Sequence, residues 1–461
     1  MVKINREHPE YRARKAMWRK YRQLYIGGEE MKLNAGEYLM RRQKEPLDVY
    51  NERLQHAFYE NYVGSIIDWY ASTLFRREPM MTIEGTNQAG RAFFNTFSED
   101  CDLKGSALSD FMRRQLVDAL VYGVSYVAID FPRAAEEPRT RAEEEAQGVS
   151  RAYLVPYSAE DLVNWSTDER GNFDWVLLKT SRLSLPALDA PDYVHETRWI
   201  YYDKEEFRIY RSVPDARGEE SLVLVDAGRH GLAAQRRVPL FELRITEGLW
   251  LMNKAALLQL EHFNKSNALS WGLTMGLFAT PVVYSERPWE QVVGESYYIQ
   301  LAPGDRFGWT EPEGRVYQIA VENLTRLKDE IYRVCYLMSQ ATGSSARHIG
   351  QSGLSKQRDY AITQEVLRAY GDSVKDVLKR LLRAIEAARA DGLQIDVSGL
   401  DEFDIGDFSG EIADAERLLN LGIASPTLQT QVFKKLAFKY LCDVRQDIKD
   451  RIGQEIDEAG Q

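Results

Sequence analysis

The chain has 461 residues, 44% of them hydrophobic, and its 59 Lys and Arg against 70 Asp and Glu give a formal charge of −11. This is apolar material for two or three packed domains, while no run of about eighteen apolar residues offers a membrane span. An acidic body argues against a protein that wraps nucleic acid, and three cysteines without a C-x-x-C pair, Cys101, Cys335 and Cys442, read as free thiols rather than a disulfide framework or zinc site.

The charge is unevenly placed. Residues 1–44 hold twelve basic against five acidic residues, a local +7 that leaves −18 for the remainder. Residues 1–45 are therefore a basic arm, in which Tyr11, Trp18, Tyr21 and Tyr25 lie among Arg12, Arg14, Lys15, Arg19, Lys20 and Arg22. Phosphate contact and base stacking are open to such a helix. So is docking of its aromatic side on the body of this chain or a neighbouring subunit.

From residue 46 the helical string Tyr50-Asn-Glu-Arg-Leu-Gln-His-Ala-Phe58 is followed by an apolar helix that stops at Ser72-Thr-Leu-Phe-Arg-Arg-Glu-Pro79. A further helix over 105–120 runs into the strand Val121-Tyr-Gly-Val-Ser-Tyr-Val-Ala-Ile-Asp-Phe-Pro132. The charged tract 133–150, with prolines at 132 and 138, reads as a surface loop. Residues 172–183, 197–212 and 221–226 alternate or run apolar around the turn Asp203-Lys-Glu-Glu206, which predicts an antiparallel sheet packed on helices.

Residues 248–278 read as a helix with Leu251, Ala255, Leu258, His262, Leu269 and Leu273 on one stripe and Asn253, Asn264, Asn267 and Thr274 on a wet face. Gly272 and Gly276 sit four apart, leaving a shallow groove where another helix backbone can approach. His262, on the apolar stripe, reads as a hydrogen-bonded packing residue rather than a ligand. After Pro281 the pattern changes to short β-prone runs at 281–284, 296–301, 306–310 and 316–321, separated by Pro303-Gly304 and Pro312-Glu313-Gly314. A helix over 323–339 returns, carrying Leu324, Leu327, Ile331 and Val334. Residues 341–356 hold Gly343, Gly350 and Gly353 with Arg347, His348 and Lys356, a loop free to change shape that can meet phosphates without reading bases. By itself it reads rather as an ordinary flexible surface loop. A long helix then runs to about 390 with Ile362, Val366, Tyr370, Val374, Val377, Leu381 and Ile385 on one side.

Residues 393–397 predict a strand, and 396–416 hold eight carboxylates and no basic residue. Asp401, Glu402, Asp404 and Asp407 miss the register of a calcium loop, so these acids read as solvated or as helix caps. Ser425-Pro426 signals an N-cap and first-turn proline, and Asp443 with Gln446 a second helix start.

Catalytic signatures are missing from the sequence. It contains no G-x-x-x-x-G-K-[ST], no H-E-x-x-H and no G-x-S-x-G, so the expectation is a non-enzymatic chain with no cofactor and no metal. A metal-dependent nuclease using the carboxylates near 401–407 is the less favoured enzyme reading. A helical scaffold or adaptor of small oligomeric state is the principal alternative.

The order of a mixed helix-and-sheet region, a helix, a small β insertion, a returning helix, a Gly/Ser/Arg/His loop and a long helix resembles the portal proteins, or head-tail connectors, of tailed bacteriophages over residues 46–440. The resemblance implies an α+β, mainly helical subunit. Its parts are a wing at 46–247, a first stem helix at 248–279, a clip at 280–322 and a second stem helix at 323–340. A tunnel loop at 341–356, a long helix returning to the wing at 357–409 and a short helical crown at 410–461 complete it.

It further implies a ring of roughly twelve copies at one capsid vertex, assembled in the host cytoplasm and resident in the virion. Such a ring conducts double-stranded DNA during packaging and ejection, without sequence specificity. Its partners are terminase, a head-tail adaptor, and the major capsid or scaffolding protein, and no membrane. Arg347, His348 and Lys356 become the DNA-contacting residues, and Gly343, Gly350 and Gly353 the source of loop freedom. Gly272 and Gly276 become stem packing positions. Glu286, Glu290, Arg306, Glu311, Glu313 and Arg315 are expected to make clip contacts, each exposed pair worth about 0–1 kcal/mol.

Overall fold

The computed structural model describes residues 6–133, 143, 148, 150–185, 192–214, 220–277, 280–286, 301, 303–310, 314–337, 353–401, 408–421, 425–441, 444 and 446–459. In chain order it begins with helices α1 (Pro9–Ile26), α2 (Gly28–Leu33), α3 (Ala35–Tyr38), α4 (Leu47–Gln55) and α5 (Tyr62–Leu74), strand β1 (Met80–Glu84), and helices α6 (Gln88–Glu99) and α7 (Leu108–Tyr122). Strands β2 (Val124–Asp130), β3 (Tyr153–Tyr157), β4 (Leu162–Thr167), β5 (Phe173–Ser184), β6 (Val194–Asp203), β7 (Glu206–Pro214), β8 (Glu220–Arg229) and β9 (Leu240–Arg244) follow. Then come α8 (Leu251–Leu277), β10 (Thr280–Tyr284), β11 (Arg306–Thr310), α9 (Gly314–Val334), α10 (Gly353–Arg389), β12 (Gln394–Ser398), α11 (Phe408–Asn420), α12 (Pro426–Tyr440) and α13 (Gln446–Ala459). Helix and antiparallel sheet are mixed along the chain, as an α+β protein requires. The chain divides into two compact units, residues 1–22, 66–253 and 357–461 in one and 23–65 and 254–356 in the other.

The first unit holds most of the sheet. Helix α7 stops where Gly123 adopts φ 87°, a left-handed setting open to glycine, and a Cβ there would meet the Trp250 indole at 3.0 Å. The chain then enters β2, the middle strand of the order β3-β2-β9. Residues 124–129 are all buried, as an apolar run covered on both faces should be. Trp250 Nε1 donates to Val121 O at 3.0 Å and Ser125 Oγ to Gln115 O at 2.8 Å, so these two buried side-chain donors are satisfied.

The alternating segments form a five-stranded antiparallel meander, β4-β5-β6-β7-β8. At its β6–β7 turn the Asp203 carboxylate accepts from the N–H groups of Glu205 and Glu206 at 2.8 and 2.7 Å, the local turn chemistry that aspartate supplies. Val163, Leu177 and Trp199 form its buried cluster, with Tyr11 packed against them. β12, predicted at 393–397, pairs antiparallel with β1, Met80 opposite Ser398 and Glu84 opposite Gln394. Helix α10 buries Val366, Tyr370, Val374, Val377, Leu381 and Ile385 as its spacing requires, but Ile362 is 50% exposed. Ile362 lies one turn ahead of the first covered residue of the stripe. Ser425 Oγ accepts from Leu428 N at 3.3 Å just before Pro426, the cap that starts α12.

In the second unit, the helix expected over 248–278 is α8, preceded by a 3₁₀ turn at Glu247–Leu249. Ala255 and His262 are buried on it, whereas Leu273 is exposed. The wet face is corrected more deeply. Asn264 Nδ2 donates to Tyr38 O at 3.0 Å and its Oδ1 accepts from Met40 N at 2.8 Å. Asn267 makes the same reciprocal pair with Phe58, at 2.9 and 3.0 Å. Gln259 accepts from the N–H groups of Tyr62 and Val63 and donates to Glu60 O at 2.7 Å. These amides clamp backbone that has no ladder partner of its own, which is why they are partly or fully inside. Arg53 Nη1 reaches both carboxylate oxygens of Glu45 at 2.8 Å, a buried pair in the same unit.

The run 316–321, expected as a strand, is the first half of α9. Tyr317, Ala320, Leu324, Leu327 and Ile331 recur at three- and four-residue steps, so the 3.6 period wins over the β-branched composition. The returning helix consequently starts at Gly314 rather than 323. Among the described residues no helix is long and apolar enough to cross a membrane.

Candidate functional site

The elements to which the sequence assigns a role centre on α8, β10, β11 and α9, all in the second unit. Three side-chain contacts fix how the two helices meet. Lys254 Nζ donates to Tyr336 OH at 2.5 Å, Lys265 Nζ to Asn323 Oδ1 at 3.2 Å, and Tyr317 OH to Gly272 O at 2.9 Å. Moving 18 residues forward on α8, from Lys254 to Gly272, corresponds to moving 19 back from Tyr336 to Tyr317. The helices are thus antiparallel over about 27 Å at 1.5 Å per residue. The strands continue that register, with Thr280 opposite Thr310 and Tyr284 opposite Arg306. Helix, strand, strand and helix therefore make one long hairpin.

Gly272 lies against the Tyr317 ring of α9. A Cβ on it would lie 3.1 Å from Tyr317 Cε1, so a larger residue has to displace the ring that bonds its carbonyl. Gly276 lies on α8, and its surroundings are outside the described residues. At the other end of the hairpin, Tyr336 takes φ 62° and Leu337 N donates to Tyr332 O at 2.9 Å. That is the left-handed close of a helix, here made by a tyrosine instead of the usual glycine.

His262 is buried, its ring edge-on to Tyr62 at 5.0 Å and its Nε2 3.4 Å from Glu60. Desolvation lowers its pKa, partly countered by the Glu60 charge, so burial favours its neutral form. Its Nδ1 has no hydrogen-bond partner among the described residues. Lys328 stands 5.8 Å from the Tyr62 ring, and Tyr332 packs on the same ring at 6.4 Å.

Three apolar side chains in the first half of α9 are uncovered. Val316 is 64%, Ile319 56% and Val321 52% exposed, while Leu327 and Ile331 are buried. At 3.6 residues per turn, Val316 and Ile319 fall on one side of the buried stripe and Val321 on the other.

Glu286, just beyond β10, and Arg306, on β11 opposite Tyr284, are exposed. Arg315 is an exposed residue in the first turn of α9 and not part of the β insertion, a consequence of the early helix start. Glu290, Glu311 and Glu313 lie outside the described residues, as do Gly343, Arg347, His348 and Gly350. Gly353 and Lys356 belong to α10, which begins at Gly353, so the loop expected over 341–356 ends sooner. No glycine or proline follows Gly353 until Gly371, which α10 accommodates.

The basic arm is helix α1. Trp18 is buried with its Nε1 donating to Tyr122 O at 2.9 Å, and Tyr21 is buried with its hydroxyl on Asn253 Oδ1 at 2.9 Å. Base stacking is closed to both, because their rings pack inside the chain. Arg12 and Lys15 are exposed and face Glu7 at 4.0 and 2.8 Å. Arg19 is exposed, Arg14 half-buried, and Lys20 lies 5.7 Å from the Tyr21 ring. In the acidic segment, Asp396 on β12 is bound by Lys379 at 2.8 Å, and 402–407 lie outside the described residues. Among the described residues no group of three or more His, Cys, Asp or Glu is placed to hold a metal.

The amide clamps, the Lys254–Tyr336 and Lys265–Asn323 bridges and Tyr317 were not evident from sequence. The one available signal was the spacing of Gln259, Asn264 and Asn267 on a single helix, which marks polar groups that could turn inward together.

This chain is similar to chains in the neck of gene transfer agent (GTA) particles. The likeness to one from the neck of an empty GTA particle, computed with C6 symmetry, has a TM-score of 0.41 at 14% identity, covering 81% of this chain and 90% of that one. A chain from the virion of a native GTA particle gives 0.36 at 13% identity, covering 85% and 93%. One from the neck of a native GTA particle, computed with C12 symmetry, gives 0.36 at 13%, covering 79% and 86%. The likeness is partial, and no residue takes a role from it. No family model matches the chain, and no curated protein matches it.

Proposed function

We propose that the chain is a portal-type subunit: a ring of roughly twelve copies at one vertex of a phage-like capsid, through which double-stranded DNA enters and leaves. The observation that carries this is α9, an amphipathic helix whose first half leaves Val316 and Ile319 uncovered on one flank of its buried stripe and Val321 on the other. A ring needs a head-to-tail interface in which each copy offers two different patches. A helix with apolar residues on two sides supplies both, and uncovered apolar groups of this kind mark interaction surfaces. The antiparallel hairpin of α8 and α9, tipped by β10 and β11, supports the two-helix stem with its inserted clip.

In this reading the tip carrying Glu286 and Arg306 meets a terminase during packaging and a head-tail adaptor afterwards, while capsid or scaffolding protein surrounds the ring in the virion. The chain performs no catalysis and the terminase supplies ATP hydrolysis. Arg347 and His348, between α9 and α10 in sequence, and Lys356 in the first turn of α10 contact passing phosphates weakly and in a salt-dependent way. Negative-stain imaging of the purified chain is expected to reveal closed rings with a central channel. Arg347→Glu with Lys356→Glu should leave those rings intact while impairing genome packaging or retention, because attraction to phosphate becomes repulsion. Monomeric or dimeric particles would instead favour a helical scaffold, and a double variant that packages at the normal rate would remove the loop from the DNA path.

A further inference from the structure

A cleft of about 350 Å³ opens in the first unit, bordered by the turn between β4 and β5, the residues leading into β9, and helix α10. Lys204, Arg236, Arg237 and Arg380 reach it, with Asp168 and Glu242 as its acids. Both acids are already engaged. Asp168 Oδ1 accepts from the N–H groups of Arg170 and Asn172 at 2.9 and 2.8 Å, and the Glu242 carboxylate is held by Arg244 at 2.9 Å. Two of the cations are engaged as well, Lys204 with Asp174 at 2.6 Å and Arg236 with Glu205 at 3.5 Å.

Arg237 and Arg380 differ. The Arg237 guanidinium lies 4.3 Å from the centre of the Phe241 ring, and Arg380 donates to the Glu242 carbonyl at 2.9 Å. Neither has a carboxylate partner among the described residues. Arg237 and Arg380 are both exposed at the mouth of the cleft, and desolvation by neighbouring groups, together with the like charge of Arg380, lowers the Arg237 pKa from its ordinary value. Two positive forks thus border one cleft whose two acids are bonded to other groups. The ring contact and the backbone bond hold them in place, so little side-chain freedom is lost on binding.

We propose that this cleft binds a phosphate group, either free inorganic phosphate or a phosphate of a nucleic-acid backbone. A tetrahedral oxyanion can accept from two guanidinium forks at once and neutralise both. A carboxylate, planar and singly charged, satisfies one. The site lies within one unit of one chain and does not depend on ring formation.

Calorimetric titration of the full chain with inorganic phosphate, at low ionic strength in a chloride buffer, is expected to show saturable binding. Arg237→Gln with Arg380→Gln should weaken it about tenfold or more, by loss of two charge-assisted contacts, and Arg237→Lys with Arg380→Lys, which keeps charge but removes the forks, should weaken it less. No saturable binding by the wild type overturns the proposal whatever the variants do. Binding that the Gln double variant leaves unchanged overturns it too. A second arm measures affinity for a duplex of arbitrary sequence at several salt concentrations. If backbone phosphates are the source, the double variant should reduce the salt slope by about two. Loss of phosphate binding with an unchanged duplex slope assigns the site to free phosphate.

Discussion

Helices α1 and α9 both carry large apolar side chains, and they dispose of them in opposite ways. On α1, Trp18 and Tyr21 are 4% and 5% exposed, and their polar atoms end on Tyr122 O and Asn253. On α9, Leu327 and Ile331 are inside while Val316, Ile319 and Val321 are more than half exposed. The first helix is stabilised by its own chain. The second has apolar surface that its own chain does not cover, and burying such surface stabilises by about 25 cal/mol per Å². Stability and assembly should therefore separate by helix.

The largest effect is expected at Trp18. Trp18→Ala removes a buried indole and strands the Tyr122 carbonyl, at a cost of about 3–5 kcal/mol, read as a lower denaturation midpoint. Preservation of stability would mean that α1 is an appendage and the contrast with α9 is false. Next comes Gly272→Leu, where the new side chain has to displace Tyr317. Overpacking of about 1–3 kcal/mol should appear in chemical denaturation, together with loss of rings. An unchanged variant would mean the helices do not approach closely there.

A third test uses pH. Asp118, on α7 near the α1 anchor, is pushed up to about 6 by burial and by Asp161, and Asp161 is itself raised by burial. An acid whose folded pKa exceeds its unfolded value of about 3.9 opposes folding once ionised. Its penalty is absent below pH 4, grows by about 1.4 kcal/mol per pH unit toward pH 6, and is complete above that. Asp118→Asn should therefore raise stability at pH 7 and flatten the profile between pH 4 and 6, in urea titrations at fixed temperature. A profile identical to wild type would place Asp118 in water. The smallest expected change in stability belongs to Val316→Ser, Ile319→Ser and Val321→Ser combined, within about 0.5 kcal/mol per exposed site, although assembly should be lost.

Much of this contrast was legible in the sequence where chemistry is local. Asp203 in its turn, Ser425-Pro426 as a cap and the α10 stripe all depend on neighbours within a few residues. What failed depends on distant partners or on an ambiguous period. Asn264 and Asn267 look wet because an amide is equally polar whether it bonds water or the backbone at Tyr38 and Phe58, far away along the chain. The stretch 316–321 is rich in β-branched residues, and a run that short fits a strand as well as a helix. Trp18 among arginines fits nucleic-acid stacking and docking on the chain alike, and its burial together with its bond to Tyr122 O decides for docking.

Mass photometry of the purified chain, across a range of salt and beside the α9 triple variant, tests the central claim most directly. Wild type should give a dominant species of roughly twelve times the 53.0 kDa chain mass, and the folded triple variant should fall to single chains. Wild-type monomers and dimers at every salt concentration would contradict the ring, and a triple variant that still forms it would show that the uncovered flanks of α9 are not the surfaces that join the subunits.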